Sequence, residues 1–274
     1  MTSPIRVAVL GPTGRLGSAI CRALLDNPDF ALAGAVVRAE SSAAGEDIGA
    51  WLGGEAVGCR AETALEHAVH DADIVIDASL PGMTVAAAER LAGLGGPALI
   101  TGVTGFNAGQ MKRLETCTDR LAILMAGNFS LGVAVTEALV REAARLPAET
   151  WDIEVHETHH KRKADAPSGT ALMLARTAAE ARGETLEDIA TWSREGTTGP
   201  RRPGTIGFAV SRGGSVVGEH SVRFLADLEE ITISHRALDR SIFARGALEA
   251  VRWMTNGGKD RPAGRYTMQD VIAG

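Results

Sequence analysis

Hydrophobic positions fall into short blocks whose period changes along the chain. Ile5–Leu10 is an apolar run ending at Gly11, which predicts a buried strand. In Arg15–Leu25, Leu16, Ala19, Ile20, Ala23 and Leu24 share one helical face. The same patterning predicts strands at Ala31–Val37, Asp73–Ala78, Pro97–Thr101 and Leu121–Met125, and helices at Glu62–Val69, Thr84–Ala92 and Ala108–Thr116. Alternation of strand and helix at this spacing implies a parallel sheet with helices on both faces.

Past about residue 130 the pattern changes. Val133–Leu146 reads as a helix stopped by Pro147, and Trp151–His156 as extended. Ser168-Gly169-Thr170 opens a helix that runs to Arg182 and stops at Gly183. A loop rich in Arg, Gly and Thr covers Arg194–Pro203. Ile206–Arg212, a Gly213-Gly214 turn, Ser215–Leu225 and Glu230–Arg236 alternate with period two, which predicts antiparallel strands with one wet face. Ser241–Thr255 is helical again, and this helix and the tail are expected to pack on the first half. The expected architecture is an α/β nucleotide-type half followed by an α+β half with its own sheet.

Composition narrows the function. The 274 residues carry 28 Lys+Arg against 34 Asp+Glu, a net charge of −6, which disfavours nucleic-acid and membrane-surface partners. No apolar run reaches the roughly 18 residues of a membrane span. Met1-Thr2-Ser3-Pro4 leads straight into the first strand without a basic region, so no signal peptide is expected. Cys21, Cys59 and Cys117 are far apart and form no C-x-x-C, so neither disulfides nor zinc are expected, and the default compartment is the cytoplasm. The cations are uneven. Of four Lys (Lys112, Lys161, Lys163, Lys259), two lie in one short stretch, directly after His156, His159 and His160.

Two regions carry chemistry. The first is Gly11-Pro12-Thr13-Gly14-Arg15-Leu16-Gly17, between the first strand and the first helix. Glycines there permit a tight turn and close backbone approach to a pyrophosphate at the helix N-terminus. The alternative is an ordinary strand-to-helix turn. The second strand ends at Val37-Arg38 without an acid, and an Arg at that place suits a 2′-phosphate, which leans toward NADP, although Glu40 is close by.

The second region is Glu154 to Thr170. His156-Glu157-Thr158-His159 misses the H-E-x-x-H metal spacing by one, and the neighbouring cations would repel a divalent ion. A solvated basic loop is another reading. A third is a proton-handling anion site: His titrates near neutrality, Lys163 offers a charge or a proton, and Ser168 can cap a helix whose Gly169 and Thr170 amides would hold a carboxylate.

Glu157-Thr158-His159-His160-Lys161-Arg162-Lys163-Ala164-Asp165-Ala166-Pro167-Ser168-Gly169-Thr170-Ala171 resembles the E-x-H-H-x-x-K-x-D-A-P-S-G-T-A signature of the dihydrodipicolinate reductase family. Further family-like stretches are Gly11–Gly17, Gly102–Phe106, Ala126–Val133, Ser193–Gly196, Gly204–Phe208, Arg212–Gly214 and Gly218–Val222, so the resemblance spans the chain in order. It implies a Rossmann-type parallel-sheet nucleotide domain from residues 1–129 and 241–274. Residues 130–240 would form an α+β substrate-binding and tetramerisation domain with a mixed sheet. It implies reduction of a cyclic imine dicarboxylate, 4-hydroxy-tetrahydrodipicolinate by way of dihydrodipicolinate, with NADPH or NADH and no metal, on the diaminopimelate route to lysine.

Carried over residue by residue, His159 would give and take a proton, Lys163 would donate one, and His160, Gly169 and Thr170 would hold substrate carboxylate. Gly11, Pro12, Thr13, Gly14, Arg15, Leu16, Arg38, Gly102, Val103, Thr104, Ala126, Gly127, Asn128, Phe129 and Arg240 would contact the coenzyme. Two positions depart from the family pattern. Val37 stands where Glu is common before the Arg, which favours NADPH over NADH, and Val103 stands where Thr is common. The expected assembly is a homotetramer. A nucleotide-sensing module without turnover, or a relative acting on another imine or carbonyl acid, are the competing functions.

Overall fold

The structure is a computed structural model describing residues 3–255 and 261–274; Met1, Thr2 and residues 256–260, Lys259 among them, lie outside the described residues of the expected domains. In chain order, β1 (Ile5–Leu10) leads to α1 (Arg15–Leu25), β2 (Phe30–Val36), α2 (Ile48–Trp51), β3 (Ala61–Glu62) and α3 (Leu65–Val69). Next come β4 (Ile74–Asp77), α4 (Pro81–Leu94), β5 (Ala98–Thr101), α5 (Ala108–Cys117) and β6 (Ala122–Met125). They are followed by α6 (Leu131–Ala143), β7 (Asp152–His159), α7 (Gly169–Ala181), α8 (Leu186–Ile189) and β8 (Ala190–Thr191). The chain ends with β9 (Ile206–Arg212), β10 (Gly218–Leu225), β11 (Glu230–Ala237), α9 (Ser241–Thr255), β12 (Gly264–Tyr266) and α10 (Met268–Ala273).

The chain divides into two compact units, one of Met1–Ser130 with Ser241–Gly274, the other Leu131–Arg240. In the first, seven strands pair in parallel in the order β12-β6-β5-β4-β1-β2-β3. β4 and β5 are buried at every position, as strands covered on both faces must be. α9 packs against α1, and a Cβ at Gly246 would stand 1.8 Å from the Phe129 carbonyl oxygen, so this glycine sets how closely α9 approaches the chain after β6.

Element edges differ from the sequence expectations. Glu62, expected in a helix, belongs to β3 because it pairs beside Val36. α4 runs on from Pro81 to a left-handed Gly95 at φ 62°.

In the second unit five strands form a mixed sheet, β11-β10-β7-β9-β8. β10 alternates as expected, whereas β9 is buried at Ile206, Gly207 and Phe208 and then exposed, and the two do not form a hairpin across Gly213-Gly214. β7 lies between them, parallel to β9 and antiparallel to β10. The reason lies in one face: Ile153 and Val155 of β7 pair with Ile206 and Phe208 on one side and Phe224 and Val222 on the other, burying six apolar side chains under α7. β7 also runs three residues past the expected edge, to His159.

Candidate active site

The expected coenzyme residues of the first unit sit in loops after β1, β2, β5 and β6 and in the first turn of α1. Those loops are at the carboxyl ends of parallel strands, where α/β sheets bind ligands. Gly11 has φ +74°, a left-handed conformation that suits glycine. A Cβ at Gly17 would stand 2.0 Å from the Gly11 carbonyl oxygen, so α1 begins this close to the turn only because residue 17 is glycine. Thr13, Gly14 and Arg15 are exposed at the start of α1 and Pro12 is buried.

Two loops and α1 meet here: a Cβ on Gly102 would stand 2.5 Å from the Phe129 ring and 3.0 Å from Leu16. Val103 and Ala126 are buried, Thr104 and Gly127 are exposed, and Asn128 accepts from the Ser130 amide at 2.8 Å. Arg38 is exposed and lines a cleft with Gly11, Thr13, Gly14, Ser41 and Ala78, 3.4 Å from Glu40.

Asp77, to which the sequence attached no role, is fully buried at the end of β4. It accepts from the Ser79 amide at 2.9 Å and from the hydroxyls of Thr84 at 2.5 Å and Thr101 at 2.9 Å, tying the start of α4 to the end of β5.

In the second unit, side chains of β7 alternate so that Ile153, Val155, Glu157 and His159 share the buried face, and His156 does not. The apolar row thus ends in a charged pair. Glu157 carboxylate lies 2.6 Å from His159 Nδ1 and has no solvent exposure. β9 brings Arg212 beside His159, and its guanidinium donates to both Glu157 oxygens at 2.8 and 2.9 Å. β10 brings His220 opposite Glu157, its ring 5.1 Å from that of His159 and its Nε2 3.0 Å from Ser168 Oγ. Burial pushes Glu157 up, but Arg212, His159 and the Ser168 amide outweigh it and hold the carboxyl below its ordinary value. Burial, then the charge of His159, pushes His220 down to about 4.

Ser168 caps α7, accepting from the Ala171 amide at 3.2 Å, while Gly169 is exposed at the first turn. Lys163 Nζ is 2.8 Å from Asp165. Partial desolvation, with the charges of Arg240 and Arg162, lowers the His160 imidazole, so Arg240, exposed at the end of this unit, acts on the expected carboxylate site. Lys161 and Arg162 are exposed. Among the described residues no group of three or more His, Cys, Asp or Glu could hold a metal ion.

In the sequence, Glu157 has only a place in the metal spacing and the family signature, and Arg212 and His220 have no role. Carrying the alternation of Ile153 and Val155 one residue past the expected strand edge would have exposed a buried acid in need of a cation.

A glycine turn at the carboxyl edge of a parallel sheet, and a separate unit with a buried His–carboxylate pair beside a helix N-terminus, are the arrangement of a two-unit α/β protein with a ligand edge in one unit and a proton-handling pair in the other. Models of "Dihydrodipicolinate reductase, N-terminus" and "Dihydrodipicolinate reductase, C-terminus" match residues 5–129 and 132–272. The 4-hydroxy-tetrahydrodipicolinate reductase of Caulobacter vibrioides is 47% identical over 273 residues, covering 99% of this chain and 98% of that one. That of Parvibaculum lavamentivorans is 42% identical, covering 99% of each. A solved structure, dipicolinate-bound dihydrodipicolinate reductase from Paenisporosarcina sp. TG-14, shares the fold at TM-score 0.75 and 19% identity, over 96% of this chain and 97% of that one. This chain belongs to the dihydrodipicolinate reductase family.

Proposed function

We propose that the chain reduces 4-hydroxy-tetrahydrodipicolinate, by way of dihydrodipicolinate, to tetrahydrodipicolinate, on the diaminopimelate route to lysine, with NADPH preferred over NADH. The observation that carries this is the His159 imidazole, held at 2.6 Å by buried Glu157 in the unit that also presents Lys163 and the α7 N-terminus. A sensor without turnover has no need of such a pair.

The first unit fits a dinucleotide: the left-handed Gly11 and the crowded Gly17 leave amides at the start of α1 open for a pyrophosphate. Gly11 to Leu16, Gly102 to Thr104 and Ala126 to Phe129 would hold it, with Arg38 at the 2′-phosphate; the coenzyme's contribution is the hydride. Everything else falls to the protein. The Gly169 and Thr170 amides and His160 hold and neutralise substrate carboxylate, fixing the ring's orientation. Reduction leaves an enamine that must gain a proton, and His159 Nε2 and Lys163 Nζ are the atoms that supply it. Arg240 adds positive charge at His160; its contact with coenzyme rests on the family resemblance.

The first unit would serve as the nucleotide domain and the second as substrate and tetramerisation domain. Leu139 of α6 and Ile231 and Leu238 at or beside the edge strand β11 are exposed apolar side chains suited to subunit contacts. No described helix is long and apolar enough to cross a membrane, and we place the enzyme in the cytoplasm. The function is tested by following NADPH absorbance after adding freshly made 4-hydroxy-tetrahydrodipicolinate. Rapid loss supports it, and a flat trace with the substrate present overturns it.

A further inference from the structure

Glu157 is a buried ionised carboxylate that the steps above do not use. It stands on the face of β7 that carries Ile153 and Val155, where a charge persists only if it is fully paired. Its pairing is complete. Oε2 takes the Arg212 guanidinium at 2.8 Å and His159 Nδ1 at 2.6 Å; Oε1 takes the second guanidinium nitrogen at 2.9 Å and the Ser168 amide at 3.0 Å. An ionised carboxylate only accepts, so the proton in the shortest of these bonds is on His159 Nδ1. Nε2 is then the ring nitrogen left to act. The oxygen shared with Ser168 ties the same carboxylate to the cap of α7, whose next two amides would hold substrate.

We propose that Glu157, clamped by Arg212, is a positioning residue that fixes His159 as its Nδ1–H tautomer and sets Nε2 in one frame with the anion-holding end of α7. The inference rests on the reductase reading for what Nε2 does, but not for the tautomer. The charged and titratable groups around His159 are Glu157 on its own strand, Arg212 from β9, His220 from β10, and His160 and Lys163 from the following loop, where Asp165 pairs with Lys163. Of these only Glu157 is a buried acceptor at Nδ1. His220, held neutral near pH 7 by its burial, is not a second cation beside Glu157.

Nitrogen-15 NMR of the histidine-labelled full chain at alkaline pH tests this, with His159 signals assigned by their loss in His159→Gln. The expected wild-type spectrum has a protonated Nδ1 and a bare Nε2. In Glu157→Gln the amide N–H₂ faces Nδ1 and the tautomer inverts. Turnover by that variant should fall about 10²- to 10⁴-fold in kcat, with KM for the dicarboxylate changed far less. A neutral Nε2–H tautomer in the wild type, or a folded Glu157→Gln enzyme with undiminished kcat, overturns the proposal. If Glu157→Gln does not fold, the wild-type spectrum decides alone. A wild-type chain with the Nδ1–H tautomer and no turnover supports the positioning role and overturns the reductase reading instead.

Discussion

Lys163 Nζ lies 2.8 Å from both carboxylate oxygens of Asp165, so the ammonium proposed to give up a proton is also half of an ion pair. Asp165 is 63% exposed, and such pairs contribute only about 0–1 kcal/mol. The pairing therefore has little to do with stability. Lys163→Ala should lose about 10²- to 10⁴-fold in kcat while its melting temperature barely moves. Turnover and thermal melts on one preparation check this, and near-wild-type turnover would remove Lys163 from the mechanism.

Gly17 makes the nucleotide turn sensitive to a single methyl group. A Cβ there would meet backbone 2.0 Å away, and no side chain can rotate to relieve it. Gly17→Ala should cost about 1–3 kcal/mol and weaken NADPH binding, measured by thermal denaturation and calorimetric titration. A variant with unchanged coenzyme affinity would show that the turn does not hold the pyrophosphate.

Arg38 decides coenzyme choice in this account. Its guanidinium is exposed at the cleft, with Glu40 3.4 Å away. A hydrogen bond to a charged group is worth about 1.5–3 kcal/mol, so Arg38→Ala should lower kcat/KM for NADPH about 10- to 100-fold. The value for NADH should stay nearly constant. Equal losses with both coenzymes would contradict a role at the 2′-phosphate.

His220 gives the fold a pH dependence of its own. The unfolded imidazole takes up a proton near 6.5, whereas burial delays protonation in the folded state to about 4. The unfolded state binds more protons between those values, so stability is full above that window and is lost as pH falls through it. Melting temperatures should drop from pH 6.5 toward about 4 in the wild type and drop less in His220→Gln. Glu157 and Asp165, both held low, add their losses at still lower pH. Parallel slopes in the two proteins would show that His220 is not held neutral.

The strand-helix alternation and the second sheet were legible because apolar period follows secondary structure directly. Strand neighbours were not. Nothing local in Gly213-Gly214 tells β9 to accept β7 as its partner instead of β10, since that choice belongs to the packing of Ile206, Phe208, Val222 and Phe224 around one strand. The His159, His160 and Lys163 cluster was visible as a concentration of rare residues. Arg212, 55 residues from Glu157, was not, because only the register of β7 with β9 brings them together. Small elements such as β8 and β12 left no pattern long enough to read.

Hydride from the coenzyme should end on the ring of a small imine dicarboxylate. The most direct test is single-turnover reaction of NADPH deuterated at the transferable C4 position with freshly made 4-hydroxy-tetrahydrodipicolinate, followed by mass analysis. Tetrahydrodipicolinate carrying one deuterium, formed in step with NADPH oxidation, is the expected product. Oxidation without labelled tetrahydrodipicolinate, or no oxidation at all, would contradict this transfer.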